Sequence, residues 1–221
     1  MLGFWQRLRH RLRTHKTLVL AGFVLPWAVF AGLLVAVVKF GSMGADISIL
    51  TFFHQHATPF LDKLALAFTI VGNTGPMIAV AALVAGGLLL RGRRAEARAF
   101  ALAVGGSMLL TQVIKALVAR PRPALWASLR PEHTYSFPSG HAMDTAALAV
   151  ALGFLLSRCR APGAAQLLAP LFALGVGWAR VYLGVHNPSD VLAGWSAALG
   201  WVVGVQLLVA PAFREPRSFA A

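Results

Sequence analysis

The sequence has few charged residues and almost no cysteine. Charged side chains make up 12% of the 221 residues, whereas hydrophobic side chains make up 58%, and the mean hydropathy is +0.71. This composition excludes an ordinary water-soluble domain. Cys159 is the single cysteine, so an internal disulfide is impossible, and no spacing of cysteine and histidine resembles a structural zinc site. The composition therefore indicates an integral membrane protein whose fold depends on helix packing in lipid.

Acidic residues are also scarce. Seven Asp and Glu stand against 20 Lys and Arg, which gives a formal net charge of +13. Such a charge is compatible with a nucleic-acid binder, but the basic residues fall at the ends of apolar segments and not along one polar face. We therefore predict no nucleic-acid partner and attribute most of the basic residues to membrane topology.

Six apolar segments are each close to the roughly 20 residues that cross about 30 Å of hydrocarbon. They occupy residues 17–38, 68–90, 99–118, 139–157, 164–183 and 190–211. The first segment is longer than the hydrophobic region of a signal peptide, which predicts a retained anchor. A glycine- and proline-containing stretch at 72–76 predicts a turn from a surface helix into the membrane. We predict an all-α, polytopic membrane protein, namely a six-transmembrane-helix bundle with a short external helical segment.

The basic residues also predict how this bundle is oriented. Thirteen of the 20 lie before the first segment or after the second, fourth and sixth. The positive-inside rule places these loops and both termini in the cytoplasm. The predicted organisation is a basic amphipathic cytoplasmic tail at 1–16, a six-helix membrane domain at 17–211 and a cytoplasmic tail at 212–221.

Three short polar stretches stand at the ends of apolar segments, where a membrane protein ordinarily avoids cations and imidazoles. They are Lys115 with Arg122-Pro123, then Pro138-Ser139-Gly140-His141, then Arg180 with His186 and Asp190. Counting the six spans brings all three stretches to the face of the bilayer opposite the basic loops. Two helices begin at that face, and the free N–H groups of a helix N-terminus attract anions. The pattern predicts a site for an anionic group.

Each stretch has a simpler interpretation when it is taken alone. Lys115 and Arg180 are typical of long side chains that reach the interface from a helix end, and Ser139 is typical of a helix cap. A spacing of four residues lets the Asp190 carboxylate reach the His186 ring, although structural His–Asp pairs are common. The joint occurrence of ten specified residues in order, all on one predicted side, favours a common site.

The pattern K-x6-R-P, P-S-G-H and R-x5-H-x3-D resembles the type 2 phosphatidic acid phosphatase superfamily of membrane lipid phosphatases, relatives of the vanadium haloperoxidases. The motifs cover residues 115–190, and the six-span layout extends the match over most of the chain. The resemblance implies that His186 is the nucleophile and forms a phosphohistidine, that Asp190 orients His186, and that His141 is the general acid and base.

The same resemblance implies how the phosphate is bound. Its expected ligands are Lys115, Arg122, Ser139, Gly140 and Arg180. Because Lys and Arg supply the positive charge, we expect no metal and no cofactor. One position departs from the family pattern, since Ala179 stands where a serine usually precedes the arginine. This change removes a hydroxyl contact to phosphate without altering the expected nucleophile, so we expect activity to be retained.

The expected partners are the bilayer and a lipid phosphate or lipid pyrophosphate. Candidate substrates are undecaprenyl pyrophosphate, phosphatidylglycerol phosphate, phosphatidic acid and a lipid A phosphate, met at the outer face of a bacterial inner membrane. Arg120 and Arg130, outside the motifs, are compatible with contacts to a diphosphate or with solvent. Asp144 is compatible with tuning His141 or with binding another helix.

Two other functions stay open on the sequence alone. An intramembrane serine protease would use Ser139 as its nucleophile, although the G-x-S-x-G context is absent. A non-enzymatic lipid-headgroup transporter would bind the same anion without cleaving it.

Overall fold

The computed structural model describes residues 16–41, 43–157 and 164–209, and the described chain forms eight helices. They are α1 Lys16–Phe40, α2 Gly44–Gln55, α3 Pro59–Val71, α4 Thr74–Leu90, α5 Arg94–Val118, α6 Gly140–Leu156, α7 Ala165–Tyr182 and α8 Pro188–Leu208. The α1 helix passes through a π-helical turn at Leu20–Val24. The all-α prediction is confirmed. Residues 1–15 of the predicted amphipathic tail and the whole of the predicted C-terminal tail fall outside the described residues.

Within the described chain, three helices are long and apolar enough to cross a membrane, namely α1, α5 and α8. The α3 and α4 helices meet at a 48° bend, and the pair counts as a fourth candidate. This bend lies at the predicted turn, but residues 68–71 belong to α3 and the apolar α4 helix begins only at Thr74. The α6 helix is apolar and 17 residues long. The chain is therefore a polytopic membrane protein, while the count of six spans stays a prediction.

The α6 helix lies at the centre of the bundle. It packs against α5, α7 and α8, and α8 also packs against α1 and α5. The core joins Phe30 of α1, Val104 of α5, Met143 of α6 and Val202 of α8. Every residue of α6 from His141 to Ala149 is buried, so polar groups at the start of this helix are enclosed by neighbouring helices.

Gly194 brings the beginnings of α6 and α8 together. A Cβ atom at this position would lie 2.9 Å from the backbone oxygen of Ser139, closer than real Cβ contacts allow. The two helices also meet through a hydrogen bond from the Ser139 N–H to the Asp190 backbone carbonyl, at 3.0 Å. The second and third polar stretches are therefore neighbours in the fold.

The α5 helix separates two basic regions of the molecule. Arg94 begins the helix and is exposed, whereas Lys115 lies in its last turn and is buried. At 1.5 Å per residue, these positions are about 30 Å apart, which is the thickness of a hydrocarbon core. The basic junction between α4 and α5 and the first polar stretch thus lie at opposite ends of the bundle.

Candidate active site

Two cations of the first stretch are held by backbone carbonyl groups. The Lys115 ammonium donates to the carbonyl of Tyr135. Arg122 donates from Nε to the carbonyl of Thr134 at 2.6 Å and from Nη1 to the carbonyl of Val185 at 2.7 Å. These acceptors orient the two side chains without cancelling their charge, so the site keeps its attraction for an anion.

Arg180 is held by one other helix, α3, and by the loop between α5 and α6. Its side chain is fully buried in α7. Nη1 donates to the Thr69 hydroxyl of α3 at 2.9 Å, and Nη2 donates to the Glu132 carboxylate at 2.7 Å. Burial acts to raise the pKa of Glu132, but the Arg180 guanidinium holds that pKa below its usual value, so Glu132 is ionised. Sequence reasoning missed both partners, because they are 111 and 48 residues from Arg180.

The His186 ring lies between Arg122 and Asp190. It belongs to the loop between α7 and α8 and is 1% exposed. Nε2 is 3.1 Å from Nη1 of Arg122, and Nδ1 is 3.6 Å from Oδ2 of Asp190. A guanidinium can only donate, so Nε2 accepts and the neutral ring carries its proton on Nδ1. Burial lowers the pKa of His186 well below its usual value. The ring is thus neutral, with a lone pair on Nε2.

Asp190 also caps the helix that carries it. Its Oδ2 accepts the backbone N–H of Asn187 at 2.9 Å and completes a capping box at the start of α8. The Ser136 hydroxyl donates to the same oxygen, and Arg120 donates to Oδ1. The carboxylate is therefore fixed by several donors, and its 3.6 Å separation from His186 is longer than a hydrogen bond.

The start of α6 presents Ser139, Gly140 and His141. Ser139 is the N-cap residue of α6, as the helix-cap interpretation predicts, but its hydroxyl does not make the expected hydrogen bond to the first turn. The Ser139 N–H already donates to Asp190, which leaves the following N–H groups of the first turn for an anion. A Cβ atom at Gly140 would lie 3.7 Å from Cε of Lys115, so the lysine stem passes beside this turn. His141 lies in the first turn of α6 and is buried.

Buried polar atoms without a hydrogen-bond partner gather at these residues. Among the described residues there are six such side-chain atoms, and three belong to the predicted site: Oγ of Ser139, Nε2 of His141 and Nε of Arg180. Buried polar groups are normally paired, so an unpaired group calls for an explanation. Here the three atoms come from two different motifs. The Ser139 hydroxyl and the Arg180 Nε–H are donors of the kinds that bind phosphate oxygens. An oxyanion ligand would satisfy them.

The sequence left the roles of Arg120 and Asp144 open, and in the structure both side chains bond to other residues of the bundle. Arg120 is 5% exposed and is bonded to Asp46 and Asp190, so it faces neither solvent nor a diphosphate. The Asp144 carboxylate accepts the Thr74 hydroxyl of α4 at 2.9 Å, which matches the interpretation that it binds another helix. The position of Arg120 in the spacer between Lys115 and Arg122 was the available signal, but no local spacing predicts a partner 74 residues away.

Comparison with known families agrees with the motif pattern. The model described as the PAP2 superfamily matches residues 96–214, which is more than half of the chain and includes every predicted site residue. The chain belongs to the PAP2 superfamily. It is therefore a member of a family of membrane lipid phosphatases.

Individual PAP2 proteins are similar to this chain over 40% to 83% of its length. Phosphatidylglycerophosphatase B of Bacillus subtilis is 30% identical over 146 residues, which cover 64% of this chain and 71% of that protein. An undecaprenyl-diphosphatase of Sulfolobus acidocaldarius is 39% identical over 94 residues, or 40% of this chain and 43% of that protein. The crystal structure of a transmembrane PAP2-type phosphatidylglycerolphosphate phosphatase from Bacillus subtilis superposes with a TM-score of 0.74 at 28% identity, covering 83% of this chain and 93% of that one.

Proposed function

We propose that this PAP2 protein hydrolyses a phosphomonoester or a pyrophosphate of a lipid through a phosphohistidine on His186. The observation that carries the proposal is the set of buried, unpaired atoms on Ser139, His141 and Arg180 beside a neutral His186 ring. Relatives named phosphatidylglycerophosphatase B and undecaprenyl-diphosphatase support a lipid phosphate as the substrate class.

The first step transfers the phosphoryl group to the protein. Lys115, Arg122 and Arg180 bind the phosphate oxygens, together with the Ser139 hydroxyl and the first turn of α6. Nε2 of His186 attacks phosphorus, and the bond from phosphorus to the lipid oxygen breaks. His141 gives its proton to the departing oxygen.

The second step releases inorganic phosphate. His141, now neutral, takes a proton from a water molecule that attacks the phosphohistidine, and the bond from phosphorus to Nε2 breaks. In the phosphohistidine the His186 ring is positively charged, and the Asp190 carboxylate stabilises this charge. The Nδ1 proton of the His186 ring points toward that carboxylate. Hydrogen bonds that are long in an unliganded site tighten as the reaction proceeds, which suits the 3.6 Å separation of these two residues.

The proposed site faces the outside of a bacterial inner membrane, and both termini are cytoplasmic. The basic junction between α4 and α5 supports this orientation, because it lies at the opposite end of α5 from Lys115. A substrate headgroup in the outer leaflet would then reach the site directly.

Assays of phosphate release from each candidate lipid test the proposal as a whole. Detergent-purified protein is expected to release inorganic phosphate from undecaprenyl pyrophosphate or phosphatidylglycerol phosphate, the main substrates we propose. Release only from a lipid A phosphate would favour the alternative lipid A phosphatase. Binding of these lipids with no phosphate release from any of them would favour the non-enzymatic headgroup transporter and overturn the proposal.

The rate is expected to show a bell-shaped dependence on pH. His186 attacks only when neutral, and because burial lowers its pKa, its activity is lost only as the pH falls through that lowered value. His141 must be protonated to supply a proton, so activity also falls as the pH rises. The measurement is kcat and kcat/KM in buffers from about pH 4 to pH 10. A flat profile between about pH 5 and pH 9, with the chemical step rate-limiting, would contradict these assignments.

Removal of divalent metal ions is expected to leave the activity unchanged. Lys115, Arg122 and Arg180 already supply fixed positive charge where other phosphoryl-transfer enzymes place metal ions. The measurement is phosphate release in excess EDTA, compared with release in added Mg²⁺. Complete loss in EDTA that Mg²⁺ restores would show that a metal ion takes part.

The Ser139→Ala variant is expected to be weakened and not inactivated. It removes one hydrogen bond to phosphate, which corresponds to a loss of about 10- to 100-fold. A serine protease would lose its nucleophile and all activity. The matched control is Ser48→Ala, since Ser48 is an exposed α2 residue whose hydroxyl donates to the carbonyl of Gly44 in its own helix. Wild-type phosphate release by Ser139→Ala would remove Ser139 from the phosphate site.

A further inference from the structure

A buried ion-pair network lies behind the candidate nucleophile. The Arg120 side chain is located between Asp46 of α2 and Asp190 of α8, and all three residues are at most 5% exposed. Nη2 of Arg120 donates to Oδ2 of Asp46 at 3.1 Å, and Nη1 donates to Oδ1 of Asp190. None of the roles proposed above uses Arg120 or Asp46.

The network joins α2 to the first turn of α8. Asp46 accepts the Ser189 N–H on Oδ1 at 3.0 Å and the Ser189 hydroxyl on Oδ2 at 2.7 Å. Arg120 donates to the same hydroxyl at 2.9 Å and to the Gly41 carbonyl at 2.8 Å. Asp46 thus holds both Arg120 and the residue directly before Asp190.

The main chain of Arg120 also contacts a residue that lies next to Asp190 and His186. Its carbonyl accepts the N–H of Ser136 at 2.8 Å. The Ser136 hydroxyl donates to Oδ2 of Asp190 and lies 3.5 Å from Nδ1 of His186. One residue therefore fixes both oxygens of the Asp190 carboxylate, one directly and one through Ser136.

The guanidinium of Arg120 is not available to a phosphate. Its two Nη groups make four contacts, with Ser189, Asp190, Gly41 and Asp46, so each Nη hydrogen has an acceptor. Arg122, two residues later, instead reaches Nε2 of His186. Arg120 and Arg122 therefore lie on different sides of the nucleophile.

We infer that Arg120 and Asp46 are positioning residues, which hold the Asp190 carboxylate, and through it the His186 ring, in the orientation that phosphoryl transfer requires. The inference rests on the proposed function. The charges support it, because two carboxylates and one guanidinium leave a net negative charge behind the ring. That charge stabilises the ring when Nε2 bonds to phosphorus and the ring becomes cationic.

The test compares Arg120→Gln, Asp46→Asn and the double variant with wild type, each as full-length protein in detergent. Arg120→Gln is expected to lower kcat about 100-fold, which is less than the roughly 10⁴-fold cost of losing a carboxylate behind a catalytic histidine. KM and the inhibition constant of vanadate should change less than about threefold, because Arg120 does not bind phosphate. Asp46→Asn should lower kcat about tenfold, because it weakens the hold on Arg120 and therefore on the Asp190 carboxylate.

The double variant separates positioning from simple loss of structure. Arg120→Gln leaves two buried carboxylates without a cation, and Asp46→Asn removes one of those charges. The double variant is therefore expected to have a higher kcat than Arg120→Gln alone, whereas independent structural damage would make it lower. The matched control is Arg94→Gln, an exposed arginine at the far end of α5, which should keep the wild-type kcat.

The outcomes are distinguishable. Wild-type kcat in Arg120→Gln, or a rise in KM and in the vanadate inhibition constant that matches the fall in kcat, would overturn the inference. Should Arg120→Gln fail to fold by gel filtration, Asp46→Asn decides, and a wild-type kcat in that variant overturns it. Absence of phosphate release by the wild-type protein would instead overturn the proposed function, and this inference with it.

Discussion

Replacing His186 with alanine is expected to abolish phosphate release. The change removes the nitrogen that forms the covalent intermediate, so the rate should fall by about 10⁴-fold or more. The measurement is phosphate release from the best lipid substrate, combined with trapping of labelled protein. Wild-type protein should carry an acid-labile, base-stable phosphoryl label, and His186→Ala should carry none.

A matched histidine control is available directly after α2. His56 is exposed, and its Nδ1 lies 2.8 Å from the carbonyl of Phe52 in α2. His56→Ala is expected to keep the wild-type rate and the phosphoryl label. Intact turnover in His186→Ala, or an unchanged label, would overturn the phosphohistidine mechanism.

Replacing His141 with glutamine is expected to affect substrates unequally. With a lipid phosphomonoester the departing alkoxide needs a proton, so loss of the general acid should lower the rate by about 10²- to 10⁴-fold. With an aryl phosphate the leaving group needs little protonation, so the first step should proceed at close to the wild-type rate. The second step still needs a base, so the phosphohistidine should accumulate after one turnover.

The measurement for His141 is a rapid-mixing experiment with p-nitrophenyl phosphate. A burst of p-nitrophenol followed by a slow steady state is the expected result for His141→Gln, and His56→Gln serves as the control. Equal losses with the aryl and the lipid substrates, and no burst, would show that His141 does not act as the acid and base.

The motif residues were predictable because their chemistry is local in sequence. The P-S-G-H stretch and the spacing of His186 and Asp190 identified a helix start and a neighbouring pair, and the fold places both together. Counting apolar segments also predicted that the α5 end bearing Lys115 lies opposite the basic loop before Arg94. Helix periodicity and membrane thickness are sufficient for such inferences.

The partners of those residues were not predictable from spacing. Glu132 lies in a loop and binds Arg180 across 48 residues, and Asp46 binds Arg120 across 74 residues. Such contacts depend on how α2, α7 and the loop between α5 and α6 pack, which no local pattern encodes. The use of the Ser139 N–H by Asp190 has the same origin, since it requires the close approach of α6 and α8 at Gly194.

The capping box at the start of α8 determines how variants of Asp190 must be interpreted. Its Oδ2 holds the first turn of a 21-residue helix and also faces the His186 ring. Alanine at this position would remove both contacts at once, so lower activity would not distinguish a frayed helix from a misaligned imidazole. Asparagine keeps an oxygen for the Asn187 N–H and discards the charge, which makes it a separation-of-function substitution at this residue.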